Sequence, residues 1–62
     1  MSWYLESKYT DKGKVFTNIV AEGELDDFDT TPYKECEGYD RYVDKFNTLE
    51  EAVQAENDAK GA

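Results

Sequence analysis

The chain has 62 residues, with fifteen acidic and seven basic side chains, no histidine and one cysteine, giving a net charge of −8 and a pI near 4.2. This describes one small domain. It excludes an internal disulfide and a Cys/His zinc site, and it argues against direct nucleic-acid binding, which needs a basic stripe.

A chain of this size buries only ~60% of its unfolded surface, and its core rarely supplies more than ~3–5 kcal/mol. Trp3, five tyrosines and three phenylalanines are the main means of closing such a core. Self-association as a homodimer is another. The lone Cys36 fits a reducing compartment. The first residues have neither a basic n-region nor an apolar h-region, and no apolar run reaches the ~20 residues of a membrane span. The expectation is a cytoplasmic protein that does not engage a membrane; if phage-encoded, it would work in the host cytoplasm.

Residues 3–10 alternate. Trp3, Leu5, Ser7 and Tyr9 share one face of a strand, and Tyr4, Glu6, Lys8 and Thr10 the other. Asp11-Lys12-Gly13-Lys14 supplies turn chemistry. Residues 15–21 are β-branched and aromatic, so a hairpin of 3–10 with 14–22 is predicted.

Residues 23–38 read as a long acidic loop punctuated by Gly23, Pro32 and Gly38. A connection of this length is usually functional or disordered. Phe28 and Tyr33 are expected to fold back and pin it to the body. A strand over 39–46 follows, then a helix from Asn47-Thr48-Leu49, with Thr48 and Glu51 spaced as a capping box. Its apolar stripe reads as Leu49, Ala52, Val53 and Ala55, and it should end near Lys60-Gly61.

The predicted fold class is therefore α+β: a small three-stranded antiparallel sheet, β-β-loop-β-α, with one C-terminal helix packed on one face. Either hairpin strand can neighbour 39–46. Tyr4, Phe16, Val20, Tyr42 and Phe46 are expected on the face opposite Trp3, Leu5, Ile19 and Val43. An aromatic second face would be covered by the loop or would form an interface.

No catalytic pattern stands out. The chain has no histidine base, no glycine-rich phosphate loop and no nucleophile beside a base in sequence, so it reads as non-enzymatic, with no cofactor. Asp27 and Asp29 begin like an EF-hand loop, but Pro32 and Gly38 stand where that loop needs its glycine and its bidentate glutamate. A loose cation site at Asp26, Asp27 and Asp29 is a minor alternative. Cys36 lies between Glu35 and Glu37, which favour its protonated, inert form.

The feature pointing to function is the distribution of acid. Residues 22–44 hold nine carboxylates (Glu22, Glu24, Asp26, Asp27, Asp29, Glu35, Glu37, Asp40, Asp44) against Lys34 and Arg41. If 22–26 is extended, Glu22, Glu24 and Asp26 repeat every ~6.6–6.8 Å on one side, an interval close to that of phosphates along a nucleic-acid strand. Tyr33, Tyr39 and Tyr42 lie among the acids as apolar anchors. The leading expectation is a binding protein that sets this segment against a basic protein surface, such as that of a nucleic-acid-binding host protein, as an inhibitor or nucleic-acid mimic. The competing reading is a small assembly subunit that self-associates through an aromatic sheet face, with the acid serving solubility. In size, charge and lack of catalytic residues the chain resembles the small acidic proteins with which phages and mobile elements block host enzymes. That resemblance is one of composition and assigns no site residue.

Overall fold

The alternation at the N-terminus does form a hairpin. In the computed structural model, which describes residues 1–61, β1 (Trp3–Thr10) pairs antiparallel with β2 (Val15–Ala21). Thr10 N–H donates to the Lys14 carbonyl at 2.9 Å, and Gly13 takes the positive φ of 84° that closes the turn. The strand predicted at 39–46 is present as β4 (Tyr39–Phe46). It pairs antiparallel with β1, opposite β2.

The sheet has four strands, not three. Tyr33–Cys36 forms β3 on the outer side of β4, giving the order β2-β1-β4-β3. Periodicity missed β3 because it is four residues long, begins after a proline and is mostly charged or exposed. Gly38 was the available signal. With φ 87° it closes a two-residue turn between Cys36 and Tyr39. The two turns meet at one end of the sheet, where Asp11 N–H donates to the Gly38 carbonyl at 3.1 Å.

Residues 22–32 must therefore travel from one edge of the sheet to the other, three strand spacings or ~14 Å. This crossing explains the length of the segment. It forms a strap over the Tyr4–Glu6 face: Phe28 packs 6.4 Å from the Tyr4 ring, and the Arg41 guanidinium stacks over Phe28 at 5.1 Å. Phe28 thus pins the strap as expected. Tyr33 does not, since it belongs to β3 and points to the other face.

Helix α1 (Leu49–Gly61) covers that other face above β1 and β2. Thr48 caps it: Glu51 N–H donates to Thr48 Oγ1 at 3.1 Å, and the Thr48 hydroxyl donates to Glu51 Oε1 at 3.1 Å. Replacing Thr48 with alanine should cost about 0.5–2 kcal/mol, read as a lower urea midpoint at unchanged slope.

The helix packs through alanines rather than through Leu49 and Val53, which are 44% and 38% exposed. Ala52 is fully buried, and Ala55, Glu56 and Ala59 are half-buried. At 100° per residue these four positions form one narrow stripe, and Leu49 and Val53 fall at its margin. Glu56 accepts a 2.8 Å hydrogen bond from the Thr17 hydroxyl and ties the helix to β2. The deepest side chains are Leu5, Ser7 and Ala52 on the helix side, and Val43 with Arg41 on the strap side.

The register also corrects the faces. Because Ser7 lies opposite Tyr42, and Trp3 opposite Phe46, Tyr42 and Phe46 share the helix side with Trp3, Leu5 and Ile19. Val43 lies on the strap side with Tyr4, Phe16 and Val20. Among the described residues no helix is long and apolar enough to cross a membrane.

Candidate functional site

The sheet sorts its charges by face. The pairing places Lys8, Lys34, Arg41 and Lys45 on the strap side, accompanied by Glu6. It places Glu35, Asp40 and Asp44 on the helix side, with no strand cation beside them. The helix adds Glu50, Glu51, Glu56 and Asp58 against Lys60. The strap side carries more of the acidic segment, but its cations offset most of that charge.

The block that is continuous in sequence is thus divided in space. Glu22 and Glu24 lie in a 3-10 turn, Glu22–Glu24, not in an extended run. The rise there is ~2.0 Å per residue, so the strand-like, phosphate-like interval predicted for Glu22, Glu24 and Asp26 does not occur. Asp26 and Asp27 are exposed on the strap, and Glu37 is exposed in the β3–β4 turn.

Asp29 is occupied locally. It accepts from the Thr31 hydroxyl at 2.6 Å and the Thr31 N–H at 2.9 Å, and lies 3.5 Å from Lys34 Nζ. The two Thr31 bonds, aided by the Lys34 charge, lower its pKa from 3.8 to about 2. A carboxyl with a depressed folded pKa stabilises the fold above its unfolded value, and that contribution is lost as pH falls through the folded one. The strap anchor should therefore be intact at neutral pH and should fail between 3.8 and about 2. NMR titration of the Asp29 side chain should find the low midpoint, and Thr31→Ala should raise it.

Among the described residues, no three carboxylate or thiol groups converge to hold a metal ion. Tyr39, predicted with the binding residues, projects to the strap side, where Lys8 lies 5.6 Å from its ring. Cys36 is half-buried on that same side.

Five of the predicted residues do come together: Tyr33, Glu35, Asp40, Tyr42 and Asp44, all on the open β3–β4 half of the helix side. Tyr9 joins them from β1. Its alternation with Leu5 and Ser7 was legible, but its place beside Tyr42 required the β1–β4 register. The Tyr9 and Tyr42 rings meet edge-on at 5.5 Å and 83°, and Tyr33 lies 5.0 Å from Tyr42. Three tyrosines thus cross three strands as one packed row. They are nonetheless exposed: 36%, 40% and 49% for Tyr9, Tyr42 and Tyr33.

Carboxylates frame the row. The Tyr33 hydroxyl donates to Asp40 Oδ1 at 3.2 Å. Partial loss of solvent around its phenol, and then this bond, raise the Tyr33 pKa and keep the phenol protonated. Glu35 and Asp40 face each other directly across β3 and β4, an arrangement of like charge that works against the sheet. An open hollow of about 390 Å³ is lined by Ser7, Tyr9, Asp40, Tyr42 and Asp44. A second, of about 560 Å³, lies where Phe46 meets the Glu50, Glu51 and Asp58 side of the helix.

Such a surface offers rigid aromatic area, phenol donors and several uncompensated carboxylates, the chemistry that receives lysine and arginine side chains. No family model, curated protein or solved structure matches the chain.

Proposed function

We propose that the chain is a non-enzymatic binding protein that engages a basic protein surface through the tyrosine–carboxylate face of β3 and β4. The observation that carries the reading is the separation of charge across the sheet. Glu35, Asp40 and Asp44 surround Tyr9, Tyr33 and Tyr42 without a strand cation on their side. Tyrosines are typical interface anchors, and the acids would speed encounter with a basic partner. A partner of this chemistry is the phosphate-contacting surface of a nucleic-acid-binding protein, which the domain would occupy as an inhibitor.

Self-association through this same face is disfavoured. A two-fold partner would bring Glu35, Asp40 and Asp44 of each copy together, with no strand cation on that face to offset them.

The test is capture from a nuclease-treated bacterial lysate at low and high salt, followed by competition with duplex DNA for the captured protein. The wild-type domain should retain a basic nucleic-acid-binding protein that DNA displaces. E35Q/D40N/D44N and Tyr42→Ala should each lose it, whereas E22Q/E24Q/D26N/D27N should keep most of it. Loss only in the strap variant would refute this face as the site.

A further inference from the structure

The two edges of the sheet are unequal. On the β3 edge, Pro32 precedes a four-residue strand containing Lys34 and Glu35, features that discourage pairing with another chain. The β2 edge has none of these. Its seven residues, Val15–Ala21, are uncharged and rich in β-branched side chains, and Phe16 is 56% exposed.

The ladder shows which backbone groups face outward. Thr10 N–H bonds the Lys14 carbonyl, and Glu22 N–H bonds the Ser2 carbonyl at 2.9 Å. Hydrogen-bonded pairs alternate along an antiparallel ladder, so the even residues from Lys14 to Glu22 bond inward to β1. The backbone groups of Val15, Thr17, Ile19 and Ala21 therefore point away, to the side where no further strand lies.

We propose that β2 is the contact for a second copy of this chain, joined antiparallel about a two-fold axis at Asn18 to make a continuous eight-stranded sheet. Among the two-fold registers that bring outward-facing groups together, the one centred on Asn18 pairs all seven residues. Thr17 then exchanges hydrogen bonds with Ile19 of the second copy. Phe16 lies opposite Val20, giving the exposed ring an apolar neighbour.

The same register is complementary in charge. Lys14 of each copy falls opposite Glu22 of the other, at both ends of the strand. Lys14 is bonded to Thr10 of β1 and Glu22 to Ser2 just before it, so the ends of the ladder fix their positions. The tyrosine face is left free, so this contact does not depend on the proposed function.

Sedimentation and light scattering of the full chain, across roughly micromolar to millimolar concentrations suited to a small interface, should show mass rising from 7.1 kDa toward twice that value. Hydrogen exchange should show the Thr17, Ile19 and Ala21 amides becoming protected as concentration rises. Asn18→Lys places like charges at the axis and should weaken association by about tenfold or more. Lys14→Glu and Glu22→Lys should each weaken it several-fold, and mixing these two variants should restore it, because each then supplies the charge the other lacks.

A chain that stays at 7.1 kDa throughout, with those amides unprotected, would overturn the proposal. So would a dimer insensitive to Asn18→Lys but abolished by Tyr42→Glu, which would place the contact on the tyrosine face.

Discussion

Arg41→Met is expected to leave the chain largely unfolded at 25 °C. Arg41 is 7% exposed and lies where the strap crosses the sheet. Its Nε donates to Glu6 Oε2 at 2.6 Å, its Nη2 donates to the Asp29 carbonyl at 2.7 Å, and its guanidinium stacks on Phe28. Its Nη1 is buried without a partner among the described residues. Removing the side chain releases the strap and strands Glu6, whose remaining cation is Lys8 at 4.0 Å. Breaking a buried pair from one side costs ~3–5 kcal/mol, as much as a core of this size supplies. Circular dichroism with urea titration measures the loss. The double variant E6L/R41M should recover most of it, since an apolar replacement of both partners is often neutral. A loss under ~1 kcal/mol in Arg41→Met would show that the strap holds without this pair.

Leu5→Ala should be nearly as damaging. Leu5 is 2% exposed, and the alanine stripe of the helix offers little bulk to refill the space. Truncating a buried leucine costs ~2–5 kcal/mol, and in a domain of this length each kcal/mol lowers Tm by ~4–8 °C. Val53→Gln, at the margin of the stripe, should change stability by less than ~0.5 kcal/mol. A thermal melt of the two variants side by side checks the contrast. Equal losses would mean that the helix buries the face carrying Leu49 and Val53.

Local signals in the sequence were dependable where one physical rule acted alone. Period-two alternation defined β1, β-branched composition defined β2, and the Thr48/Glu51 spacing defined the helix start. They failed where placement depends on a neighbour. Whether Tyr42 faces the helix or the strap depends on its pairing with Ser7, which is a property of two strands together. β3 is held by its pairing with β4 rather than by its own composition. In the helix, composition points to Leu49 and Val53 as the larger apolar residues, while the geometry of the first turn directs smaller ones to the sheet. At the candidate site, only five of the twelve predicted residues gather on one face, because acids adjacent in sequence need not be adjacent in space. Alternation along β4 was enough to put Asp40, Tyr42 and Asp44 together; the strap acids had no such rule.

The division of charge across the sheet acquires a further meaning from the thinness of the molecule. The Cα trace spans 34 × 26 × 13 Å. The Debye length at physiological ionic strength is ~8 Å, shorter than the smallest of these dimensions. A partner approaching the tyrosine row therefore senses the carboxylates before it, while the field of Lys8, Lys34 and Lys45 on the far side is largely extinguished by mobile ions. In dilute buffer, where that length grows to ~30 Å, the two sides act together, and the domain presents itself as a dipole that turns its acidic side toward positive charge.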